Sequence, residues 1–153
     1  MKKLILVPFL SLLFLVITSC SKSDDAKDVE TPSAKSIKFK CNGTQYEFTN
    51  PEILRSSEIS ITALTTNEKR ITLFLPLNAT TGTYPISDAF SNGNSTASLG
   101  INAIGLDGYA KADSGNVIVS SAVGNNLKGT FNFTVLSAGQ TFLITDGSFD
   151  VGN

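Results

Sequence analysis

Phe131-Asn132-Phe133-Thr134-Val135 places a large apolar side chain at every second position with polar ones between, the period of a strand that buries one face. Ala138-Gly139 follows as a turn, and Phe142 and Ile144, with Phe149 and Val151 further on, supply the returning strand. This closing hairpin is the densest set of large apolar residues outside the N-terminal segment, so its four phenylalanines are expected to anchor the core.

Upstream the same period recurs. Ile37, Phe39 and Cys41 share one face with Lys38 and Lys40 on the other, Asn42-Gly43 supplies the two positive-φ positions of a tight hairpin, and Tyr46 and Phe48 begin the return. Ile59, Ile61 and Ala63 lie on one strand and Ile71, Leu73 and Leu75 on its neighbour, joined by the polar Thr65-Thr66-Asn67-Glu68-Lys69. Pro76 ends that strand, because it cannot donate to a ladder. Gly82-Thr83-Tyr84-Pro85-Ile86 reads as a short strand, residues 96–104 and 109–113 as a hairpin around Leu106-Asp107-Gly108, and Val117 and Val119 as one face of a further strand. No window after residue 20 sustains helical spacing. Nine or ten strands, spaced about every 8–12 residues, predict an all-β fold, an antiparallel β-sandwich or, as the alternative, a closed lipocalin-like β-barrel. The small residues of 97–112 favour close packing of sheets and hence the sandwich.

Residues 1–20 have a different logic. Met1-Lys2-Lys3 is a positive start, Leu4 to Ile17 an apolar run of fourteen, and Thr18-Ser19 lead to Cys20. The run is shorter than the about 20 residues a spanning helix needs. Leu15-Val16-Ile17-Thr18-Ser19-Cys20 resembles a bacterial lipoprotein processing box, which implies that residues 1–19 are removed and that Cys20 is acylated and becomes the mature N-terminus. An acyl chain contributes about 0.8 kcal/mol of membrane affinity per buried methylene, so the expected partner of this end is a membrane. Residues 21–35 are rich in charge and poor in apolar bulk and are expected to form a disordered polar tether, leaving 36–153 as the all-β domain. Ser23, Asp24 and Asp25 look like the acidic export signal that follows the lipidated Cys in Bacteroidetes-type lipoproteins. That likeness implies display on the outer face of the outer membrane of a Gram-negative bacterium.

Composition restricts the chemistry. The sequence has no His, hence no imidazole to act as general base or metal ligand. With Lys2 and Lys3 removed, the mature chain carries 10 bases and 13 acids, a net charge of −3, which does not advertise a nucleic-acid partner. No Ser-x-x-Lys spacing follows the tether, so a serine nucleophile lacks a base. Cys41, with Cys20 claimed by the lipid, is expected to be a small buried hydrophobe. Asp146 and Asp150 stand about 13 Å apart along an extended strand, too far to share a metal ion unless a bulge folds the segment. Asp107 with Asp113 is a weaker version of that pair, and Lys111 and Lys128 read as solvated edge charges. The chain is therefore expected to be no enzyme and to hold neither cofactor nor metal.

Gly82-Thr83-Tyr84, Ser114-Gly115-Asn116-Val117-Ile118-Val119, Gly129-Thr130-Phe131-Asn132-Phe133 and Ile144-Thr145-Asp146-Gly147-Ser148-Phe149 together resemble the pattern of a family of small Bacteroidetes lipoproteins of unknown function. The resemblance covers most of residues 36–151 and implies a fold and an address, with a Gly-Thr-Phe strand pairing with an Ile-Thr-x-Gly-x-Phe strand. It transfers no catalytic residue. Two functions follow from the residues: a non-catalytic binding or structural module that meets glycan, protein or another envelope component through loops, or a barrel carrying a small apolar ligand. The loop 87–95 is the first candidate contact surface, since Asp88, Phe90, Asn92 and Asn94 set an aromatic among carboxylate and amide groups.

Overall fold

Alternating burial along the chain resolves into eleven strands among the described residues: β1 (Ser36–Cys41), β2 (Thr44–Thr49), β3 (Glu52–Arg55), β4 (Glu58–Thr65), β5 (Lys69–Pro76), β6 (Gly82–Ile86), β7 (Thr96–Ile101), β8 (Leu106–Lys111), β9 (Ser114–Val123), β10 (Asn126–Ser137) and β11 (Gln140–Val151). The structure, a computed structural model, describes residues 35–65, 69–91 and 93–152. Cys20, Ser23, Asp24 and Asp25, with the signal and nearly all of the tether, lie outside the described residues, as do Asn92 and the turn residues Thr66, Asn67 and Glu68.

All strand pairs are antiparallel, in a six-stranded sheet ordered β2-β1-β11-β10-β9-β6 and a five-stranded sheet ordered β3-β4-β5-β7-β8. The two sheets form a β-sandwich and do not close into a barrel, which overturns the lipocalin-like alternative. The strand missing from the sequence reading is β3, whose neighbouring apolar residues show no period: Ile53 is half-buried while Leu54 is exposed. The hairpin of β7 and β8 turns earlier than expected, through a 3-10 turn at Asn102–Ile104 closed by Gly105 at φ 75°. Asp107-Gly108 falls inside β8, and an irregular register between Leu99 and Ile101 absorbs the difference.

Between the sheets lies one apolar core. The six-stranded sheet contributes Ile37, Phe39, Phe48, Val117, Phe131, Phe133, Val135 and Ile144, and the five-stranded sheet Ile59, Ile61, Ile71, Leu73, Leu75, Leu99 and Ile101, all buried. Each such side chain contributes about 1.5–3 kcal/mol on burial. The rings of Phe39, Phe48, Phe131 and Phe133 form a connected series with centroids 5.8–6.1 Å apart.

β10 and β11 pair as the Gly-Thr-Phe and Ile-Thr-x-Gly-x-Phe motifs imply, and the register explains the glycines. Gly129 stands opposite Phe149 and Gly147 opposite Phe131, so each ring lies over a position without a Cβ. A β-bulge at Thr145-Asp146, with Asp146 at φ 51°, moves the buried set of β11 from Phe142 and Ile144 to Gly147, Phe149 and Val151. Without that extra residue the second half of β11 would show its phenylalanine to solvent.

Two of the crossovers between the sheets are pinned by hydrogen bonds. Between β5 and β6 the Tyr84 hydroxyl accepts from Thr80 N at 2.9 Å and donates to Thr80 O at 3.0 Å, pinning the corner. Between β8 and β9 the chain changes sheets within two residues: Ala112 N donates to Ala97 O of β7, and Asp113 N to Thr134 O of β10. The Asp113 carboxylate then accepts from Leu136 N at 2.6 Å. The chain enters at the end where Ser36 faces Asp150, whereas Ile86 faces Gly115 and Gly115 faces Phe133 at the level of Cys41 and Ile144. The loop after Ile86 therefore stands at the end of the sandwich opposite the point of entry.

Candidate functional site

The loop 87–94 is held shut at its base. Ser87 N donates to Ser95 O at 3.1 Å, Ser95 N to Pro85 O at 2.9 Å, and the buried Ser95 hydroxyl to Tyr84 O at 3.1 Å. Asn94 is engaged within the loop: its amide nitrogen donates to the Ser87 hydroxyl and to Ala89 O, and its amide oxygen accepts from Ser91 N. Asn94 thus sets the loop's shape and offers its amide to its own backbone. Asn92, the fourth residue singled out in the sequence, lies outside the described residues.

Phe90 is 37% exposed and stands beside a groove of about 370 Å³ on the outer face of the five-stranded sheet. Asp88 and Phe90 form the loop side of this groove, Phe74 of β5 and Thr96 and Ser98 of β7 line it, and Tyr109 and Lys111 of β8 and Glu58 of β4 complete it. The strand positions follow from alternation. Leu73 and Leu75 point inward, so Phe74 between them points out, and Lys111 lies opposite Ser98 on the outward face.

Neighbouring side chains stiffen the groove. Arg70, whose cross-strand partner is Gly100, lays its guanidinium 4.0 Å from the centroid of the Tyr109 ring, so the half-exposed tyrosine is held by a cation–π contact. Thr72 and Ser98 are cross-strand partners on the outward face, yet both are buried, and the Thr72 hydroxyl lies 3.3 Å from that of Thr62. Among the described residues no ion pair holds Glu58, Asp88 or Lys111. Among the described residues their charges face the groove without an ion-pair partner.

The other candidates resolve into structural roles. Asp146 and Asp150 do not converge: Asp146 pairs with Lys40 at 2.9 Å and Asp150 with Lys128 at 3.0 Å. Lys128 is thus part of an ion pair on the outer face of the six-stranded sheet. No group of three or more Cys, Asp or Glu residues among the described residues could hold a metal ion. Cys41 is buried against the core, and desolvation pushes its thiol above the ordinary value, which keeps it protonated and unreactive.

Sequence reasoning found Asp88 and Phe90 but missed Glu58, Phe74 and Tyr109, and it read Lys111 as an edge charge. A signal for Phe74 was present. In Ile71-Thr72-Leu73-Phe74-Leu75 the odd positions already fill the inward face, so a large aromatic at an even position must lie outside. The union of these residues depends on β8 lying beside β7, which no local pattern announces. No family model, curated protein or solved structure matches the chain.

Proposed function

We propose that the chain is a lipid-anchored protein of the outer membrane of a Gram-negative bacterium, displayed at the cell surface, whose β-sandwich binds a ligand without catalysis in the groove over Phe74. Membership of the small Bacteroidetes-type lipoprotein family, the lipid on Cys20 and the export signal at Ser23, Asp24 and Asp25 rest on sequence motifs. The observation that carries the binding reading is the groove itself: aromatic side chains and charges that no ion pair among the described residues engages share one concave surface, at the end of the domain opposite the entry of the chain. A largely polar tether of 15 residues would leave that end free to meet an external partner. The reading of an apolar-ligand carrier rested on a closed barrel, which this fold does not form.

Two measurements test the proposal. Palmitate labelling should mark the wild type and not Cys20→Ser, and Asp24→Ala with Asp25→Ala should leave the lipid in place while hiding the protein from protease added to whole cells. Unlabelled wild type, or equal protease access in both forms, rejects the address. For binding, the full chain in detergent should be retained by cell-surface polysaccharide or by surface protein, and Phe90→Ala combined with Tyr109→Ala should abolish retention. Equal retention of the two forms rejects the groove as the site.

A further inference from the structure

Resting on the reading of the groove as a binding site, we infer that its ligand is a neutral, hydroxyl-rich glycan, held as a mono- or disaccharide-sized segment. The volume of about 370 Å³ matches the lower end of small-ligand sites. Its chemistry is mixed in a particular way. Phe74, Phe90 and Tyr109 offer aromatic carbon, while Glu58, Asp88 and Lys111 offer two acceptor groups and one donor that no ion pair among the described residues engages. A pyranose ring has the complementary mixture. Its axial C–H bonds form an apolar, slightly positive face that suits the negative face of an aromatic ring. The hydroxyls around its edge donate to carboxylates in charge-assisted hydrogen bonds and accept from an ammonium.

Other ligand classes fit less well. A purely apolar ligand would cover Glu58, Asp88, Lys111 and the hydroxyl of Thr96 without replacing the hydrogen bonds they make to water, which is costly. An anionic sugar would bring its carboxylate toward Glu58 and Asp88, with Lys111 the one base lining the groove and the Arg70 guanidinium already stacked on Tyr109. An extended peptide would seek the backbone of an open strand edge, whereas this groove spans the faces of β4, β5, β7 and β8. The stack of Arg70 on Tyr109 contributes preorganisation, because a ring already fixed loses little freedom when a sugar docks on it.

The test is a glycan array probed with the full chain in detergent, followed by titration of the best neutral oligosaccharide against wild type, Tyr109→Ala, Glu58→Gln and Asp88→Asn, with thermal melting run on each variant. Saturable binding to neutral glycans is expected, weaker for uronate- or sialate-bearing analogues, with each variant losing about tenfold or more in affinity while its melting temperature holds. Preference for acidic glycans overturns the inference, as does binding that the three variants leave unchanged. Groove-dependent retention by surface protein with an empty array overturns the glycan assignment and leaves the binding reading standing. No groove-dependent retention by either material overturns both.

Discussion

The outer faces of the two sheets handle charge in opposite ways. On the six-stranded sheet Lys38 meets Glu47, Lys40 meets Asp146 and Lys128 meets Asp150, each pair bridging adjacent strands at 2.9–3.0 Å. Charge on that face is cancelled where it stands. On the five-stranded sheet Glu58, Asp88 and Lys111 surround Phe74, Phe90 and Tyr109 with no ion pair among the described residues. Both faces are polar by composition, so exposure alone does not separate them. What separates them is whether polar groups have already found partners. The proposed binding role falls on the face whose charged groups, among the described residues, lie unpaired beside aromatic carbon.

The largest expected effects lie beneath the quiet face. Phe133 is 2% exposed and packs on Phe131, so Phe133→Ala should lower unfolding free energy in urea by about 3–5 kcal/mol. Asn132→Ala, on the exposed side of the same strand, should change it by only about 0.5 kcal/mol or less. Phe90→Ala should also cost far less than Phe133→Ala, because Phe90 stands at the surface. A Phe90 penalty equal to that of Phe133 would place the loop in the core and dissolve the distinction between the two regions. Next in size is Gly147→Ala. A Cβ there would meet the Phe131 carbonyl oxygen and come within 2.5 Å of the ring at Cδ2, an overpacking worth about 1–3 kcal/mol. An unchanged midpoint would mean that the bulge yields and that the glycine-over-ring pairing is not what fixes the register.

Legibility followed the same division. The hairpin of β10 and β11 could be read from Phe131, Phe133 and Val135, because a strand buried on one face writes its period into adjacent residues. The sandwich followed from nine or ten such strands and their spacing, although the bulge at Asp146 left no mark beyond a change of parity between Ile144 and Phe149. β3 left none, since a short edge strand with half-buried Ile53 and exposed Leu54 has no face to declare. Of the groove, only the loop side was legible, through Phe90 among small polar residues. Glu58, Phe74 and Tyr109 come from three strands, and their meeting is a property of sheet order, which depends on crossovers that residues such as Tyr84 and Asp113 pin.

A smaller effect belongs to Cys41, on the inner face of the six-stranded sheet. Desolvation raises its pKa in the folded chain, while the unfolded thiol titrates near about 8.5. The unfolded state therefore loses its proton first, and stability present below that pH is expected to fall as pH climbs above it. Urea midpoints measured from pH 7 to 10 should decline more in the wild type than in Cys41→Ala. Parallel curves would show that the thiol is solvated and that the inner face there is not dry.

The smallest effects are expected where the structure displays the most ion pairs. The side chains of Lys128 and Asp150 are 52% and 26% exposed, and water and salt already screen much of their attraction. A double-mutant cycle with Lys128→Met and Asp150→Asn should give a coupling of about 0.2–1 kcal/mol that shrinks in high salt. Such a value would mean that pairing on this face neutralises charge along the sheet without carrying the fold. It would also predict that Lys128→Met leaves retention by the groove untouched, since the two outer faces share only the core between them. A coupling well above that range, or a loss of retention in Lys128→Met, would show that the quiet face is energetically tied to the binding one and that partnered charge is no guide to where the ligand sits.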